Sequence, residues 1–334
     1  MSTVKDAKFE ELRHLVMRMP GQRLPGEREL AEQLVISRPR LRSILAALQA
    51  EGLVQRRHGS GTYALRVEDA ERPLGRVALW IDSSLKLADD PFFSHVVECL
   101  QDELQGVGAQ CSIQKTHSQS VPHSGDDGII TLGTAGCHVI ENWKSYRPPL
   151  VSLFITDDIP LGVPASILQI ENRRAGSLAA RRLVEHKVDQ VWFFGRRQVP
   201  AVQERLAGVE AELHSAGMPL DVVECSLNYA AGVEVGRTTR LPEQQKVGIV
   251  AANDWLAVGL HAGLLSQNAV SARQFKIVSF DGLPLTDEPI LSIESLAVPI
   301  EAMARDAVAE LVRLRQPGAL GRSIQYPLFW RNMA

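Results

Sequence analysis

Long apolar runs and paired cysteines are both missing from this chain of 334 residues. No stretch approaches the roughly 18 consecutive apolar residues of a membrane-spanning helix, so we predict no membrane partner. The first residues hold neither an apolar core nor a cleavage pattern, and we expect a cytoplasmic protein without a signal peptide. Cys99, Cys111, Cys137 and Cys225 include no CxxC pair. We identify none of them at metal-ligand intervals from histidines, and we therefore predict reduced thiols, no metal and no cofactor.

The motifs of several enzyme classes are absent as well. The sequence has no Gly-x-Gly-x-x-Gly after the first strand of its α/β part, no Walker loop, no Gly-x-Ser-x-Gly elbow and no His-Glu-x-x-His. Asp89-Asp90 and Asp157-Asp158 are paired acids, but adjacent side chains point in different directions and make poor catalytic dyads. We therefore predict that the chain is not an enzyme.

Charge is unevenly distributed, although the net charge is only −3. Residues 1–66 hold 12 lysines and arginines against 7 acidic residues, whereas the remaining residues hold 24 against 32. A basic segment is attracted to phosphate groups and an acidic one is repelled. The pattern indicates a nucleic-acid-binding head on a body that does not bind nucleic acid by itself.

The head has the element pattern of a winged helix-turn-helix. Apolar spacing, Ser37 as an N-cap and Pro20-Gly21 as a helix stop define its elements. The predicted elements are helices over residues 8–19, 27–34 and 38–51 and strands over 53–57 and 62–65. A helix pair followed by a basic hairpin makes double-stranded DNA the leading partner.

Two arginines are the strongest candidates for reading DNA bases. Arg38 and Arg42 lie one turn apart at the start of the third helix, where both can face the major groove, and an arginine fork pairs with guanine O6 and N7. Ser37 and Arg40 are expected to reach phosphates or neighbouring bases. The alternative for such residues is a solvated basic helix face.

Other candidates lie on the flanking elements. Arg28, on the preceding helix, is placed to neutralise phosphate. His58 and Gly59 lie at the tip of the predicted wing, where a small residue allows close approach to the minor groove or the backbone.

Residues 76–334 alternate between strand and helix patterns, which predicts an α/β fold with parallel sheets. The strand candidates fit two lobes better than one large sheet. They lie at residues 77–81, 110–114, 128–132, 150–155, 166–170, 190–194, 221–224, 247–251 and 275–280. Helices are predicted at residues 93–106, 173–186, 202–216, 256–268 and 301–315. Residues 67–75, which are polar and include Pro73, are predicted to be a linker.

The head resembles the GntR family of bacterial repressors over residues 24–62. Its sequence contains Leu24-Pro25-Gly26-Glu27-Arg28-Glu29-Leu30-Ala31, then Ser37-Arg38-Pro39-Arg40-Leu41-Arg42, Glu51-Gly52-Leu53-Val54 and Gly59-Ser60-Gly61-Thr62. Where the family usually has two threonines, this chain has Pro39 and Arg40. Proline is tolerated in a first helical turn, but the lost hydroxyl means that the operator of a relative cannot be transferred to this chain. The resemblance places Pro39 itself among the DNA-facing residues.

The body resembles the effector domain of the LacI family, which shares its fold with periplasmic sugar-binding proteins. Six segments carry the resemblance in the family's order. They are Asp90-Pro91-Phe92-Phe93, Asp127-Gly128-Ile129-Ile130, Asn172 with Ala175-Gly176, Glu204 to Val209, Ala252 to Gly259 and Val278 to Gly282. The resemblance implies a two-lobed periplasmic-binding-protein-like domain over 76–334. We assign 76–172 plus 280–298 to its first lobe and 173–279 plus 299–334 to its second.

Four polar residues follow predicted strands or begin the next helix, where ligands bind in α/β proteins. Asp90, Arg205, Asn253 and Asp281 offer the mixed donors and acceptors that a polyhydroxylated ligand needs, and we expect a cleft between the lobes to bring them together. The alternatives are a surface ion pair for Arg205 and helix caps for Asn253 and Asp281. We interpret the neighbouring Asp254 as structural.

Three aromatic residues complete the predicted ligand site. Phe92, Phe93 and Tyr229 can supply apolar walls for a ring, and the resemblance places Phe92 and Tyr229 at ligand-contacting positions. The phenylalanines are alternatively core residues and Tyr229 an ordinary surface residue. Trp255 either packs within the protein or stacks on the ligand. Val298 stands where the family often has a polar residue, so one ligand contact is missing.

The sequence thus predicts a ligand-responsive transcriptional regulator. We favour a homodimeric repressor that a sugar or sugar derivative releases from an inverted-repeat operator. The LacI hinge-helix motif is absent, so residues 66–75 must couple the body to the head differently. An activator or a co-repressor-dependent regulator that senses a purine, polyol or sugar–amino acid conjugate is the alternative. An enzyme with a DNA-binding head is a remote one.

Overall fold

The computed structural model describes most of the chain. The described residues are 7–17, 19, 22–50, 53–57, 61–64, 73–83, 85–116, 125–133, 135, 148–155, 165–267, 271, 273–316 and 319–331. His58 and Gly59 of the predicted wing lie outside these residues, as does most of the predicted linker. Within the described ranges, no helix is long and apolar enough to cross a membrane.

The head consists of three helices and a hairpin, as the sequence predicts. Its elements are α1 (Ala7–Met17), α2 (Glu27–Gln33), α3 (Arg38–Ala50), β1 (Val54–Arg57) and β2 (Gly61–Ala64). The strands pair antiparallel, with Val54 opposite Ala64. The predicted apolar stripe of α3 is buried, because Leu41, Leu45 and Leu48 pack into one core with residues of α1 and α2.

The turn between α2 and α3 contains a strained residue. Val35 has φ +53°, in the left-handed region that a β-branched side chain rarely adopts. Its side chain is 83% exposed, so burial gives little compensation. After the turn, Ser37 begins α3, and its Oγ accepts a hydrogen bond from the backbone N of Arg40 at 3.4 Å. The predicted N-cap is confirmed.

The first sheet of the body has the order β13-β7-β6-β5-β3-β4 among the described strands. Its strands from β3 to β7 are parallel. Their bounds are β3 (Arg76–Asp82), β4 (Gln110–Thr116), β5 (Gly128–Leu132), β6 (Leu150–Leu153), β7 (Ala165–Ile170) and β13 (Ser323–Tyr326). Every residue of β5 and β6 is buried, as expected for central parallel strands.

The second sheet has the order β14-β12-β11-β10-β8-β9. All pairs are parallel except β12 with β14. The strands are β8 (Gln190–Gly195), β9 (Leu220–Glu224), β10 (Val247–Ala251), β11 (Phe275–Asp281), β12 (Ile293–Ala297) and β14 (Phe329–Trp330). The helices of the body are α4 (Pro91–Gly106), α5 (Asn172–Glu185), α6 (Pro200–Ala216), α7 (Tyr229–Thr238), α8 (Asp254–Leu265) and α9 (Ile300–Leu314).

The strand pairing corrects the predicted division into lobes. We assigned 280–298 to the first lobe, but β12 pairs with β11 in the second sheet, with Ile277 opposite Ile293. We assigned 299–334 to the second lobe, but β13 adds to the first sheet beside β7. The chain forms two compact units, one of residues 1–83, 100–168 and 304–324 and one of 84–99, 169–303 and 325–334. Two of the passages between the units fall inside helices, after Cys99 in α4 and after Met303 in α9.

Candidate functional site

The N-terminal part of α3 presents exposed arginines. Arg38, Arg40 and Arg42 are all exposed, as is Pro39 in the first turn of the helix. Arg38 is exposed at the start of the helix, and no ion pair to it is found among the described residues. This is the position where sequence analysis places the reading of bases.

Arg42 has a different environment, which the sequence does not reveal. Its Nε lies 2.7 Å from Oε2 of Glu27, at the start of α2, and Nη2 of Arg56 lies 3.7 Å from the other oxygen of that carboxylate. Glu27 thus holds the Arg42 side chain and lowers the positive potential of this face. Arg28, also on α2, pairs with Glu32 at 3.6 Å and remains exposed.

In the body, the candidate site is centred on Arg205 of α6. Its Nε donates a hydrogen bond to Oδ1 of Asn172 at 2.9 Å, and Nη1 donates to the carbonyl of Ala252 at 2.6 Å. Its Cζ lies 4.6 Å from the centroid of the Phe280 ring. The side chain is buried, so the alternative of a surface ion pair is wrong. Burial lowers the pKa of this guanidinium.

A close helix contact positions Arg205. A Cβ on Gly176 of α5 would overlap the backbone carbonyl oxygen of Arg205. Only glycine lets the two helices approach this closely, and α5 also supplies Asn172 from its first turn. The Asn172-to-Gly176 segment therefore fixes both the backbone and the guanidinium of Arg205.

Asp281 ends β11 in an unusual conformation. Its φ is +114°, a value that side-chain-bearing residues rarely adopt. Its Oδ1 lies 3.9 Å from Nη1 of Arg205, and both side chains are buried. Burial and the nearby Asp254 raise the pKa of Asp281 well above its usual range, against the opposing effect of Arg205. Asp281 is followed by a loop and a 3₁₀ turn at Pro284–Asp287. Its carboxylate accepts a hydrogen bond from the backbone N of Asp254, the first residue of α8, so a contribution to capping that helix is compatible with this position.

Asp254 supports this arrangement from the first turn of α8. Its carboxylate accepts hydrogen bonds from the hydroxyls of Ser279 and Ser295, at 2.5 and 2.7 Å, and from the backbone N of Leu283 at 2.7 Å. Burial raises the pKa of Asp254 to about 6, although these hydrogen bonds oppose the shift. The structural role predicted for Asp254 agrees with these contacts.

Asp90 and the two phenylalanines belong to the start of α4. Oδ1 of Asp90 accepts a hydrogen bond from the backbone N of Phe93 at 3.1 Å, which caps the helix. Burial raises the pKa of Asp90. The rings of Phe92 and Phe93 meet edge to face at 5.2 Å. Phe92 is buried and Phe93 half-buried, so Phe93 is the more accessible ring.

Asn253 caps α8, as one alternative proposed. Its Oδ1 accepts from the backbone N of Leu256 at 2.9 Å, and its Nδ2 donates to the carbonyl of Leu227 at 3.2 Å. Tyr229, the first residue of α7, is 39% exposed, and its ring centroid lies 5.4 Å from that of Trp255. The pair forms an aromatic surface beside Asn253.

All seven candidate residues belong to the unit of residues 84–99, 169–303 and 325–334. The structure brings Arg205 and Asp281 into one polar cluster, with Asp90 close enough to raise the pKa of Asp281. Tyr229 and Asn253 form a second group around Trp255. Sequence analysis did not identify Asn172 as the partner of Arg205, because the two are 33 residues apart. One guanidinium, buried carboxylates and aromatic rings can hydrogen-bond hydroxyl groups and cover the face of a ring.

Comparisons with known protein families match the two parts of the chain separately. Residues 8–64 match the family described as bacterial regulatory proteins, gntR family. Residues 180–328 match the periplasmic binding protein-like domain.

Individual relatives and solved structures align with large parts of the chain. The arabinose metabolism transcriptional repressor of Geobacillus stearothermophilus is 23% identical over 342 aligned residues, which cover 94% of this chain and 92% of that protein. A LacI family transcriptional regulator from Enterococcus faecium, solved with bound ribose, aligns with a TM-score of 0.65 at 19% identity, covering 76% of this chain and 96% of that chain. A dimeric Lac repressor aligns with a TM-score of 0.62 at 17% identity, covering 77% and 96%. The predicted α/β fold class with a periplasmic-binding-protein-like body is confirmed.

Proposed function

Because residues 8–64 form a GntR-family DNA-binding domain and a periplasmic-binding-protein-like domain follows it in the same chain, we propose that this protein is a sugar-responsive transcriptional repressor. The union of the two domains in one chain carries the proposal. The first supplies DNA recognition and the second a small-molecule site. The relatives reported above are regulators and not enzymes, in line with a ligand that is bound and not turned over. We place the protein in the cytoplasm, with its DNA.

We propose that α3 enters the major groove, with Arg38 as the main base-reading residue. Support comes from its exposure and from the absence of an ion pair to it among the described residues. Arg42 is held by Glu27 and serves in part to orient this face. The same strand of the DNA is approached by Ser37, Pro39 and Arg40, while Arg28 binds a phosphate group. His58 and Gly59 stay predictions for the wing.

We propose a sugar or sugar derivative as the effector, bound at Arg205 and Asp281. The Arg205 guanidinium, which Asn172 holds, and the buried Asp281 carboxyl group, which accepts from the backbone N of Asp254, offer directional hydrogen bonds to hydroxyl groups. Asp90 and Asn253 add further oxygens and an amide, while Phe93, Tyr229 and the more buried Phe92 offer ring surfaces. The named function of one relative in arabinose metabolism and the ribose in another support this class of ligand.

We further propose a homodimer that reads an inverted repeat and leaves it when the effector binds. One head of this kind buries roughly 600–1,000 Å² on DNA, which is too little for tight specific binding. Two heads related by a twofold axis bind two half-sites. A 100-fold preference of the effector for the released state supplies about 2.7 kcal/mol of coupling.

The DNA proposal is tested by capturing fragmented genomic DNA with the purified chain and sequencing what is retained. We expect an inverted-repeat motif. Arg38→Ala should then lose about 1–3 kcal/mol of binding and relax the preference at one base position, whereas Arg28→Ala should weaken all sequences evenly. Arg273→Ala, an exposed arginine of the second unit, is the control and should bind normally. Full operator affinity in Arg38→Ala would show that the recognition helix is misassigned.

The effector proposal is tested on the captured operator with a panel of pentoses and hexoses, beginning with arabinose and ribose. We expect one of them to raise the melting temperature of the chain and to release the DNA. Asp281→Ala should lose both responses while operator affinity stays unchanged. Asp221→Asn, at an exposed position of β9, should respond like the parent chain. A normal response in Asp281→Ala would remove that residue from the site.

A further inference from the structure

Three metal-binding side chain types meet on the surface of the unit of residues 84–99, 169–303 and 325–334, where no sequence motif pointed. We propose that His95, Cys99 and Glu301 bind a divalent cation of the zinc class. Their candidate ligand atoms all lie within 4.8 Å of one another. This site is separate from Arg205 and Asp281, and it does not depend on the proposed sugar response.

Helix geometry accounts for the meeting of these residues. His95 and Cys99 are four residues apart on α4 and therefore project from one face of the helix. Glu301 comes from the first turn of α9. Two ligands on one helix and a third on a second helix form a partly preorganised site, in which the His95 ring and the Glu301 side chain must adjust.

The distances are close to those that a small tetrahedral ion requires. With Zn–S near 2.3 Å and Zn–N and Zn–O near 2.0–2.1 Å, a tetrahedron separates sulfur from nitrogen by about 3.6 Å and nitrogen from oxygen by about 3.3 Å. Sγ of Cys99 lies 3.8 Å from each ring nitrogen of His95. Nε2 of His95 lies 3.7 Å from Oε1 of Glu301. Because Sγ is equally far from both ring nitrogens, the His95 ring must turn until Nε2 faces the sulfur. The Glu301 side chain, which is 68% exposed, must move as well.

A second carboxylate lies where an outer partner of the histidine is expected. Glu98 places an oxygen 3.9 Å from Nδ1 of His95, on the ring nitrogen opposite the one that faces Glu301. Metal-bound histidines usually donate their other N–H to such a carboxylate, which fixes the tautomer and the ring orientation. Nε2 is then free to act as the ligand.

The donor set selects the class of ion. A thiolate, an imidazole and one carboxylate suit zinc and its borderline-soft neighbours, whereas Mg²⁺ and Ca²⁺ prefer sites made only of oxygen. Three protein ligands leave the fourth position of a tetrahedron for water or a further donor. The thiol loses its proton on binding, so each ion displaces one proton from Cys99.

Cobalt(II) titration of the full, metal-free chain tests the site. We expect one equivalent of Co²⁺ to produce a thiolate-to-cobalt charge-transfer band that Zn²⁺ abolishes by competition. Cys99→Ser should lose the band, and Cys225→Ser, at the half-buried cysteine after β9, should keep it. Glu98→Gln should weaken Zn²⁺ binding by about 10–100-fold, the range typical of an outer partner.

A second variant protects the test from misfolding. Glu301→Gln changes an exposed residue and should also lower Zn²⁺ affinity by at least about 10-fold, with an unchanged circular dichroism spectrum. A parent chain that shows no charge-transfer band would overturn the proposal. So would a band of full intensity in Cys99→Ser, since the sulfur ligand would then be another cysteine.

Discussion

Replacing Asp281 by glycine should make the protein more stable than replacing it by alanine. Both changes remove the buried carboxylate, its interaction with Arg205 and its repulsion by Asp254. They differ at the backbone, because alanine keeps a Cβ at φ +114° and glycine does not. The comparison therefore isolates the strain stored at the end of β11.

The size of the difference follows from two opposing effects. A side-chain-bearing residue in a sparsely populated region of φ and ψ costs of order 1–3 kcal/mol. Glycine loses more chain entropy on folding than alanine, which lowers its free energy of unfolding by about 0.5–1 kcal/mol. We expect the glycine variant to exceed the alanine variant by about 1 kcal/mol in free energy of unfolding. The general preference for alanine in a strand interior has the opposite sign, so the direction alone is informative.

Urea unfolding followed by tryptophan fluorescence measures the difference, since Trp192 and Trp255 belong to the same unit as Asp281. Asp281→Asn keeps the Cβ and the side-chain volume. Its free energy of unfolding should therefore also be lower than that of the glycine variant. An alanine variant as stable as the glycine variant, or more stable, would refute the reasoning. It would mean that the surrounding structure relaxes at this position and holds no strained aspartate.

Further predictions concern pH, a turn and a helix contact. Burial raises the pKa of Asp254 to about 6. Its contribution to the free energy of unfolding is therefore greatest below about pH 4 and falls by about 3 kcal/mol as the pH rises through 6. The urea midpoint of Asp254→Asn should decline less over this range, whereas that of the control Asp221→Asn should follow the parent chain. Val35→Gly should raise the stability of the head by about 1 kcal/mol, because it relieves the left-handed conformation of an exposed residue; an unchanged or lower melting temperature would contradict this. Gly259→Ala should destabilise the second unit strongly, because the added Cβ would overlap the carbonyl oxygen of Tyr229. A variant with the melting temperature of the parent chain would contradict this and show that α7 and α8 can move apart at little cost in free energy.

The sequence predicted elements better than it predicted their arrangement. All nine strand candidates of the body coincide with observed strands. Seven of them are largely buried, as short apolar runs between helix patterns predict, whereas β4 and β9 are more exposed strands at the sheet edges. β12 was not identified as a strand, although Ile293 to Ala297 is largely apolar, and its residues were assigned to the first lobe. Its position depends on pairing with β11, a tertiary contact that local periodicity does not encode.

The candidate sites follow the same division. Residue chemistry and motif position identified Arg205 and Asp281, and the structure places their charged groups 3.9 Å apart. The backbone strain at Asp281 was not predictable, because nothing in an aspartate that ends a strand signals φ. Glu27 was also missed, since its contact with Arg42 spans 15 residues and the turn of the head. His95 and Cys99 are four residues apart in the sequence, but their third partner, Glu301, is about 200 residues away and meets them only in the folded chain.

The glycine contacts between helices have a consequence for how this protein can change. A Cβ on Gly176 would strike the backbone of Arg205, and one on Gly259 would strike the backbone of Tyr229. The two glycines that set the helix spacing around the candidate site therefore cannot be replaced one at a time, whereas the other side chains on these helices can. New effector preferences should arise at Phe93, Tyr229 and Trp255 while both glycines persist. A selection library that randomises those three positions and keeps the glycines fixed samples the variation from which altered specificity can evolve.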